Sequence, residues 1–414
     1  MREDWVETTL GESCEFYNGK AHENQIDDNG EFIVVNSKFI SSNGITIKKT
    51  NDALFPLYKN DIVMVMSDVP NGRALAKCYL IEEDNKYSLN QRICAIRSNK
   101  FNTKFLYYHL NRHPYLLSFN NGENQTNLRK NDILKCPLYI PPLPEQKRIV
   151  AILDEAFEGI DSAIANTEKN LANSRELFES YLNAIFTQKG DGWITTTVGK
   201  LVDQRILDKP LDGNHGEIHP KKSDFVKSGV PFIMASDLVD GMVDQVNCNF
   251  ITLEQANSLR KGFAKDGDVL LSHKGTIGRA AVLKTSHPSV VLTPQVTYYR
   301  VIDKSVIYNR YLYYFFHNPY FQNEIKTIAG AGSTRAYIGI TSQLQLKISY
   351  PKIDDQKRYA DSFDALISET QRLETIYRQK LADLKELKQS ILQKAFTGEL
   401  TTDTPKTVKE EIAA

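Results

Sequence analysis

Cysteine is scarce in this sequence, with five residues among 414. They are odd in number, widely scattered and never arranged as a Cys-x-x-Cys pair, which argues against disulfides, a zinc ribbon or a dithiol redox site. The eight histidines are dispersed as well and show no metal-ligand spacing. We therefore expect reduced thiols, no metal site and no resident cofactor.

Long apolar runs are also missing. No stretch approaches the roughly 20 apolar residues that a membrane-spanning helix needs, and the opening "MREDWVETTL" has no apolar core typical of a signal peptide. These absences predict a cytoplasmic protein without a membrane partner. A length of 414 residues, with 41% hydrophobic and 25% charged residues, predicts an ordinary globular chain of two or more domains.

A net charge is absent too, since 51 basic side chains balance 51 acidic ones. The balance is uneven along the chain: residues 190–353 carry 19 basic and 14 acidic side chains, whereas residues 145–189 and 354–414 are net acidic. A basic excess within one globular segment suits contact with phosphate, and acidic helical segments suit contact with protein and water.

What the sequence has in quantity is internal repetition. "WVETTLGE" at Trp5 returns as "WITTTVGK" at Trp193, and these are the only two tryptophans. In the same order, "SDVPNGRALA" is echoed by "SHKGTIGRAAV", "FLYYHLNRHPY" by "YLYYFFHNPY", and "EQKR" by "DQKR". The offset grows from 188 residues at the tryptophans to 210 at the "QKR" phrases, so insertions lie within the globular halves. The chain is built twice.

Each "QKR" phrase opens a long amphipathic run. Apolar or small residues recur near heptad spacing for roughly 45 residues, which as a helix would extend about 65–70 Å. Pro144 suits the first turn, Asp354 or Asp355 suits an N-cap, and Gly190 and Gly398 suit the ends. A stripe of that length needs a partner helix, and the other copy of the repeat supplies one.

Connectivity predicts how these helices pair. The second globular half joins the end of the first helix to the start of the second, so helices that pair with each other must run antiparallel. We predict an α+β fold: two similar mixed α/β domains separated by two long antiparallel coiled-coil helices, with a pseudo-twofold internal repeat. The predicted boundaries are residues 1–143 for the first domain, 144–189 for the central helix, 190–352 for the second domain, 353–400 for the distal helix and 401–414 for a flexible tail.

Two similar but non-identical units in inverted orientation suit a two-part DNA target. A duplicated scaffold that docks proteins is one alternative. A self-contained adenine methyltransferase is another, because Asn318-Pro319-Tyr320 is similar to the loop that holds the target amine in such enzymes. The equivalent "NRHPY" of the first half lacks that arrangement, however, and no glycine-rich cofactor loop follows a strand. This segment is therefore expected to be a packing element.

The order, duplication and spacing of these motifs closely resemble the specificity subunit of type I restriction-modification enzymes. "PPLPEQKR" leading to "YLNAIFTQ", and "DDQKR" leading to "SILQKAFTGEL", carry the resemblance, which covers essentially the whole chain. It implies a non-catalytic subunit with two target-recognition domains, each reading half of a split, asymmetric double-stranded DNA sequence. It further implies that the helices dock two modification subunits, which methylate adenine with S-adenosylmethionine, and that restriction subunits join them to cleave DNA with ATP.

Candidate DNA-contacting residues lie in loops that follow predicted strands or are rich in glycine and amides. Such loops commonly carry function because the strand fixes their base, and Asn and Gln can pair bidentately with adenine. The tyrosine pairs of the two "LYY" segments are expected in the core instead. The candidates are Asn71, Arg73, Asn124, Gln125 and Asn127 in the first half, and Lys274, Thr276, Arg279, Ser333, Thr334 and Arg335 in the second.

Overall fold

A computed structural model describes residues 4–69, 72–330 and 336–401. The chain forms two units, one taking in the residues up to Thr167 and those from Gln379 onward, the other running Glu168–Arg378. Each unit combines one globular domain with segments of both long helices.

The first globular domain alternates short strands with short helices. A 3-10 turn occupies Glu23–Gln25. The elements are β1 (Val6–Thr9), α1 (Leu10–Ser13), β2 (Glu15–Asn18), β3 (Phe32–Val35), α2 (Ser37–Ser41), β4 (Lys49–Thr50), β5 (Ile62–Val65), β6 (Ser67–Asp68), β7 (Cys78–Leu80), β8 (Tyr87–Leu89), β9 (Ile93–Arg97), α3 (Thr103–Leu110), α4 (Pro114–Leu117), β10 (Thr126–Asn127), α5 (Lys130–Leu134) and β11 (Pro137–Ile140).

The central strand of this domain explains why its sequence is apolar throughout. β5 lies in an antiparallel sheet of order β2–β9–β5–β7, and beside it stands a sheet of order β4–β3–β8 in which β3 and β8 are parallel. Ile62 and Met64 face the core shared with α3, whereas Val63 and Val65 face the core shared with β3. Because both faces are covered, "IVMV" shows no polar alternation.

After α6 (Leu143–Thr187) the second globular domain repeats this plan. Its 3-10 turns are Gly216–Ile218, Lys222–Asp224 and Ala235–Asp237. The elements are β12 (Ile194–Thr197), α7 (Val198–Asp203), β13 (Leu211–Asp212), β14 (Val230–Ile233), β15 (Leu238–Val239), β16 (Met242–Val243), β17 (Asn249–Ile251), α8 (Leu253–Ser258), β18 (Phe263–Ala264), β19 (Val269–Ser272), β20 (Ala280–Val282), β21 (Val290–Leu292), β22 (Val296–Tyr299), α9 (Asn309–His317), α10 (Pro319–Ile328), α11 (Ile340–Gln343) and β23 (Lys347–Tyr350), followed by α12 (Ile353–Thr397).

The two domains share most of their sheet topology, although the second adds β18 to one sheet and has a separate β15–β16 pair. The second has sheets of order β13–β22–β19–β20 and β17–β14–β21–β18, with the parallel pair β14–β21 in the place of β3–β8. The entry and exit strands pair antiparallel in both domains, β1 with β11 and β12 with β23. Val6 faces Ile140 and Ile194 faces Tyr350. The sequence repeat therefore reflects a repeat of structure.

In the second unit the two helix segments run antiparallel. The ring of Phe363 on α12 lies 6.0 Å from that of Phe186 on α6, and farther along Arg175 Nε donates to Glu374 Oε1 at 2.6 Å. Residue numbers fall along α6 as they rise along α12, which requires opposite directions.

The first unit shows the same pairing. Phe157 and Ile160 of α6 pack in the core with Ala395 of α12, and Lys388 Nζ lies 2.7 Å from Asp161 Oδ1 and 4.5 Å from the Phe157 ring centroid. α12 ends before Gly398, whose φ of 80° is the left-handed conformation that glycine adopts most readily at a helix end. The expected long antiparallel helices are confirmed.

The prediction of an acidic N-cap is wrong, because Asp354 and Asp355 lie within the first turn of α12. There their carboxylates stabilise the exposed N–H groups of the helix end.

The buried glutamine of each "QKR" phrase ties a domain to its helix. Gln146 Oε1 accepts from Asn102 N at 2.6 Å, and its Nε2 donates to Pro141 O at 2.8 Å. Gln356 makes the equivalent bonds with Tyr308 N at 2.9 Å and Pro351 O at 2.8 Å. Both glutamines are buried, so the phrase recurs because the same junction is built twice.

A second junction recurs about two turns farther along each helix. Tyr108 Oη donates to Asp154 of α6 at 2.6 Å, and Lys104 pairs with the same carboxylate. In the second unit Tyr314 donates to Asp364 of α12, which Arg310 also contacts. Tyr313 and Tyr314 are buried and the first-half pair is half-buried, so these tyrosines pack and brace the fold.

Candidate nucleic-acid interface

A single carboxylate shapes the first-domain loop that follows β6. Asp68 Oδ1 accepts from Val69 N at 2.9 Å, while Oδ2 accepts from Ala74 N at 2.7 Å and Leu75 N at 3.1 Å. These bonds fold the loop back onto the end of the strand. Arg73 is exposed on this loop. Asn71 lies outside the described residues.

Strand pairing brings the second predicted loop of this domain beside the first. β10 pairs antiparallel with β6, so that Asn127 faces Ser67, and Gln125 Nε2 donates to Ser67 Oγ at 2.9 Å. Asn124, Gln125 and Asn127 are all exposed. Two loops about 50 residues apart in sequence thus present amide side chains and an arginine from one edge of the domain.

The second domain builds the same kind of edge after β19. Ser272 holds the loop closed, because its Oγ accepts from Arg279 N at 2.9 Å and its N–H donates to Arg279 O at 2.8 Å. Gly278, with φ of 93°, makes the turn. Lys274, Thr276 and Arg279 are exposed on this loop.

A neighbouring segment pairs with this loop as β10 pairs with β6. Lys274 forms an antiparallel bridge with Tyr337, and Ile338 N donates to His273 O at 3.0 Å. The Lys274 ammonium lies 5.9 Å from the Tyr337 ring centroid, at the outer limit of a cation–π contact. The remaining predicted residues, Ser333, Thr334 and Arg335, lie outside the described residues.

A polar cluster that no sequence pattern predicted lies behind the second-domain loop. Asp212, only 2% exposed, ends β13, and its Oδ2 lies 2.7 Å from His215 Nε2. Its other oxygen accepts from Lys261 Nζ. The short Asp-x-x-His spacing could have suggested the first contact, but Lys261 arrives from a separate element.

The electrostatics of this cluster favour an ionised carboxylate. Burial opposes ionisation of Asp212, but hydrogen bonds from Lys261 and His215 outweigh it and hold the pKa below its usual value. Burial also lowers the pKa of His273, whose Nε2 lies 4.0 Å from Asp212 Oδ2 without a hydrogen bond. Asp212 therefore anchors Lys261 and His215 beside the buried His273, the residue that precedes Lys274.

Asn318 belongs to the segment that suggested the methyltransferase alternative, and both of its side-chain amide atoms are hydrogen-bonded to the backbone. Its Oδ1 accepts from Phe321 N at 2.9 Å and caps α10, and its Nδ2 donates to Phe315 O. The residue is 1% exposed. This fits the expected packing element, although the segment joins α9 to α10 and opens the second of these helices with Pro319.

The described residues contain neither a metal-binding cluster nor a membrane-spanning helix. No group of histidine, cysteine, aspartate and glutamate side chains there could hold a metal ion. Within the same ranges, no helix combines the length and the apolar character needed to cross a membrane. What the described loops offer chemically is hydrogen bonding and positive charge.

Sequence comparison identifies the relatives of this chain. The family model described as the type I restriction modification DNA specificity domain matches twice, over residues 2–172 and 212–382. The chain is 26% identical over 339 residues to the EcoBI specificity subunit of Escherichia coli, covering 76% of this chain and 69% of that protein. It is 23% identical over 419 residues to the MjaVIII specificity subunit of Methanocaldococcus jannaschii, covering 96% and 93%.

Solved structures share the fold. A chain from a study of complex assembly and conformational transition of the type I R-M system superposes with a TM-score of 0.74 at 19% identity, covering 96% of this chain and 99% of that one. The HsdS subunit from Thermoanaerobacter tengcongensis gives a TM-score of 0.59 at 19% identity, covering 96% and 98%.

Proposed function

This chain belongs to the type I restriction-modification specificity family, and from that premise we propose how it reads DNA. Its role is to confer sequence specificity on a type I restriction-modification complex, and it is itself non-catalytic. The first domain reads one half of a split, asymmetric DNA sequence, and the second domain reads the other half.

One observation carries this proposal: the two domains hold the same loop frame but present different side chains from it. The frame comprises β6 with β10 in one domain and the loop after β19 with residues 336–338 in the other. In the loop after β6 the first domain exposes Val69, whereas in the equivalent loop after β19 the second domain exposes Lys274 and Thr276. The first domain adds the exposed amides around β10. A common frame with different hydrogen-bonding groups suits two half-sites of different sequence.

Among the described candidates we assign the amides of the first domain to base edges. Asparagine and glutamine match the paired donor and acceptor of adenine in the major groove. Arg73 and Arg279 follow equivalent glycines and are assigned to phosphates, which position a protein without reading sequence. Lys274 and Thr276, backed by the Asp212 cluster, complete the surface of the second domain.

The chain binds DNA as part of a larger assembly. We propose that the two long helices dock two modification subunits, which methylate an adenine in each half-site, and that restriction subunits add ATP-dependent cleavage. Leu177 of α6 and Ile376 of α12 are large apolar side chains exposed on these helices and open to contact with a docked subunit. The zero net charge fits a chain that binds DNA weakly until partners complete the enclosure.

A footprint of the complex with its modification subunits tests this function. The target is first located by mapping methylated adenines in the host genome and looking for a split motif. We expect two protected stretches, one over each half of that motif. The account fails if the complex protects no split sequence, which would favour the docking scaffold, or if the purified chain alone transfers methyl groups to DNA.

A further inference from the structure

The corner between α3 and α4 of the first domain contains a residue that the second domain lacks. The first half reads "NRHPY" where the second reads "HNPY", so the corner is one residue longer and includes Arg112. Arg112 has φ of 57°, a left-handed conformation that arginine seldom adopts. Its N–H donates at 2.8 Å to the carbonyl of Ala76, which is itself left-handed with φ of 55°.

Two non-glycine residues in left-handed conformations are thus hydrogen-bonded to each other where the corner contacts the segment that follows the Arg73 loop. Such strain persists only where surrounding contacts hold it. Here Asn111 Oδ1 accepts from Cys78 N at 3.0 Å, and the Arg112 guanidinium donates to the carbonyl of Arg73. The inserted arginine therefore fixes the backbone of the loop that presents Arg73.

The second domain fixes its equivalent loop with a neutral group. Gln322 Nε2 donates to Gly278 O at 2.8 Å, and Gly278 is the residue before Arg279, as Gly72 is the residue before Arg73. The second domain shows that an amide suffices to hold the loop. Arginine at the corner of the first domain brings a positive charge that anchoring alone does not require.

That charge belongs to a cluster of three cations, Arg73, Lys77 and Arg112. Lys77 Nζ donates to Ser41 O at 2.9 Å, and its pKa is lowered first by burial and then by the charge of Arg112. Among the described residues none of the three has an ion-pair partner. The acid at the base of the loop, Asp68, directs its oxygens to backbone N–H groups.

We infer that Arg112 is a phosphate-contacting and loop-positioning residue specific to the first domain. Together with Arg73 and Lys77 it binds the DNA backbone of the half-site that this domain reads. The inference rests on the proposed function and extends it to an element outside the loops. One guanidinium N–H donates to Arg73 O, and the side chain has further N–H donors for a phosphate oxygen. The contact sets affinity and register rather than base identity.

The test uses the complex with its modification subunits and a duplex carrying the mapped target. Arg112→Gln copies the neutral anchor of the second domain, and Arg112→Lys keeps the charge. Lys100→Gln is the matched control. Lys100 is also an exposed cation that donates to a backbone carbonyl, that of Glu12, but it lies before α3, whereas Arg112 lies after it. For R112Q we expect the slope of log Kd against log salt to fall by about one, while R112K and K100Q keep the wild-type slope.

Neutral methylphosphonates, placed singly along the first half-site, distinguish contact from misfolding. The wild-type complex should lose affinity at one or two positions, and R112Q should be insensitive at one of them. Equal sensitivity of wild type and R112Q at every position would overturn the inference while leaving the proposed function intact. A wild-type complex that binds the mapped duplex no better than a scrambled one would overturn the proposed function and this inference with it.

Discussion

Replacing the buried glutamine at the junction between a domain and its helix by leucine should lower the free energy of unfolding of that unit by a large, measurable amount. In Gln356→Leu three hydrogen bonds disappear: from Tyr308 N at 2.9 Å, and to Val306 O and Pro351 O at 2.8 Å each. An unsatisfied buried group costs about 1–3 kcal/mol, and the apolar replacement recovers part of this. We therefore expect the free energy of unfolding of the second unit to fall by about 3–5 kcal/mol.

The two tryptophans make this measurement possible one unit at a time. Trp5 lies in the core of the first unit, and Trp193 packs against the core of the second. In a Trp5→Phe background, urea unfolding followed by fluorescence reports on the second unit. The substitution leaves no described hydrogen-bond partner unsatisfied, because Trp5 Nε1 has none within residues 4–69, 72–330 and 336–401.

The neighbouring Lys357→Gln serves as the control, because Lys357 is exposed and a substitution there should change stability by less than about 0.5 kcal/mol. A loss below about 1 kcal/mol for Q356L would refute the reasoning, because the glutamine would then not hold the domain to the helix.

Two further predictions address pH and recognition. His109 stacks on Phe396 at 4.3 Å between ring centroids, and burial, with a smaller effect of His113, lowers its pKa to about 3. Because this folded pKa lies below the ordinary 6.5, the contribution of His109 to the stability of the first unit is complete above pH 6.5 and is lost as pH falls toward 3. His109→Phe, which places the residue of the equivalent position, Phe315, should remove about 2 kcal/mol of the stability loss at pH 5. The measurement is urea unfolding followed by Trp5 fluorescence in a Trp193→Phe background. Alanine at Asn124 or Gln125 should weaken binding by about 1–3 kcal/mol and relax specificity in one half-site only, measured with duplexes varied in either half, and a change in both half-sites would contradict the assignment.

Much of the fold follows from the sequence because the repeat constrains it twice. The long helices and their antiparallel pairing follow from apolar spacing and connectivity. The adjacency of β6 and β10 does not, because strands of two residues give too little periodicity to reveal a partner.

From the sequence, candidate residues could be proposed only where a loop follows a strand or is rich in glycine and amides. Asp212 joins Lys261 across 49 residues, and no local pattern announces a contact that tertiary packing creates. Arg112 is visible in the sequence as an insertion, but its left-handed backbone and its bond to Arg73 depend on Ala76, which lies on a separate segment. Long-range polar contacts of this kind are what one sequence leaves undetermined.

The most direct test of the central claim is the host methylome after residues 1–143 are exchanged for the equivalent domain of another specificity subunit. The account predicts a new split motif in which one half changes and the other half, read by the second domain, stays the same. A motif in which both halves change, or neither does, would contradict the assignment of one half-site to each domain.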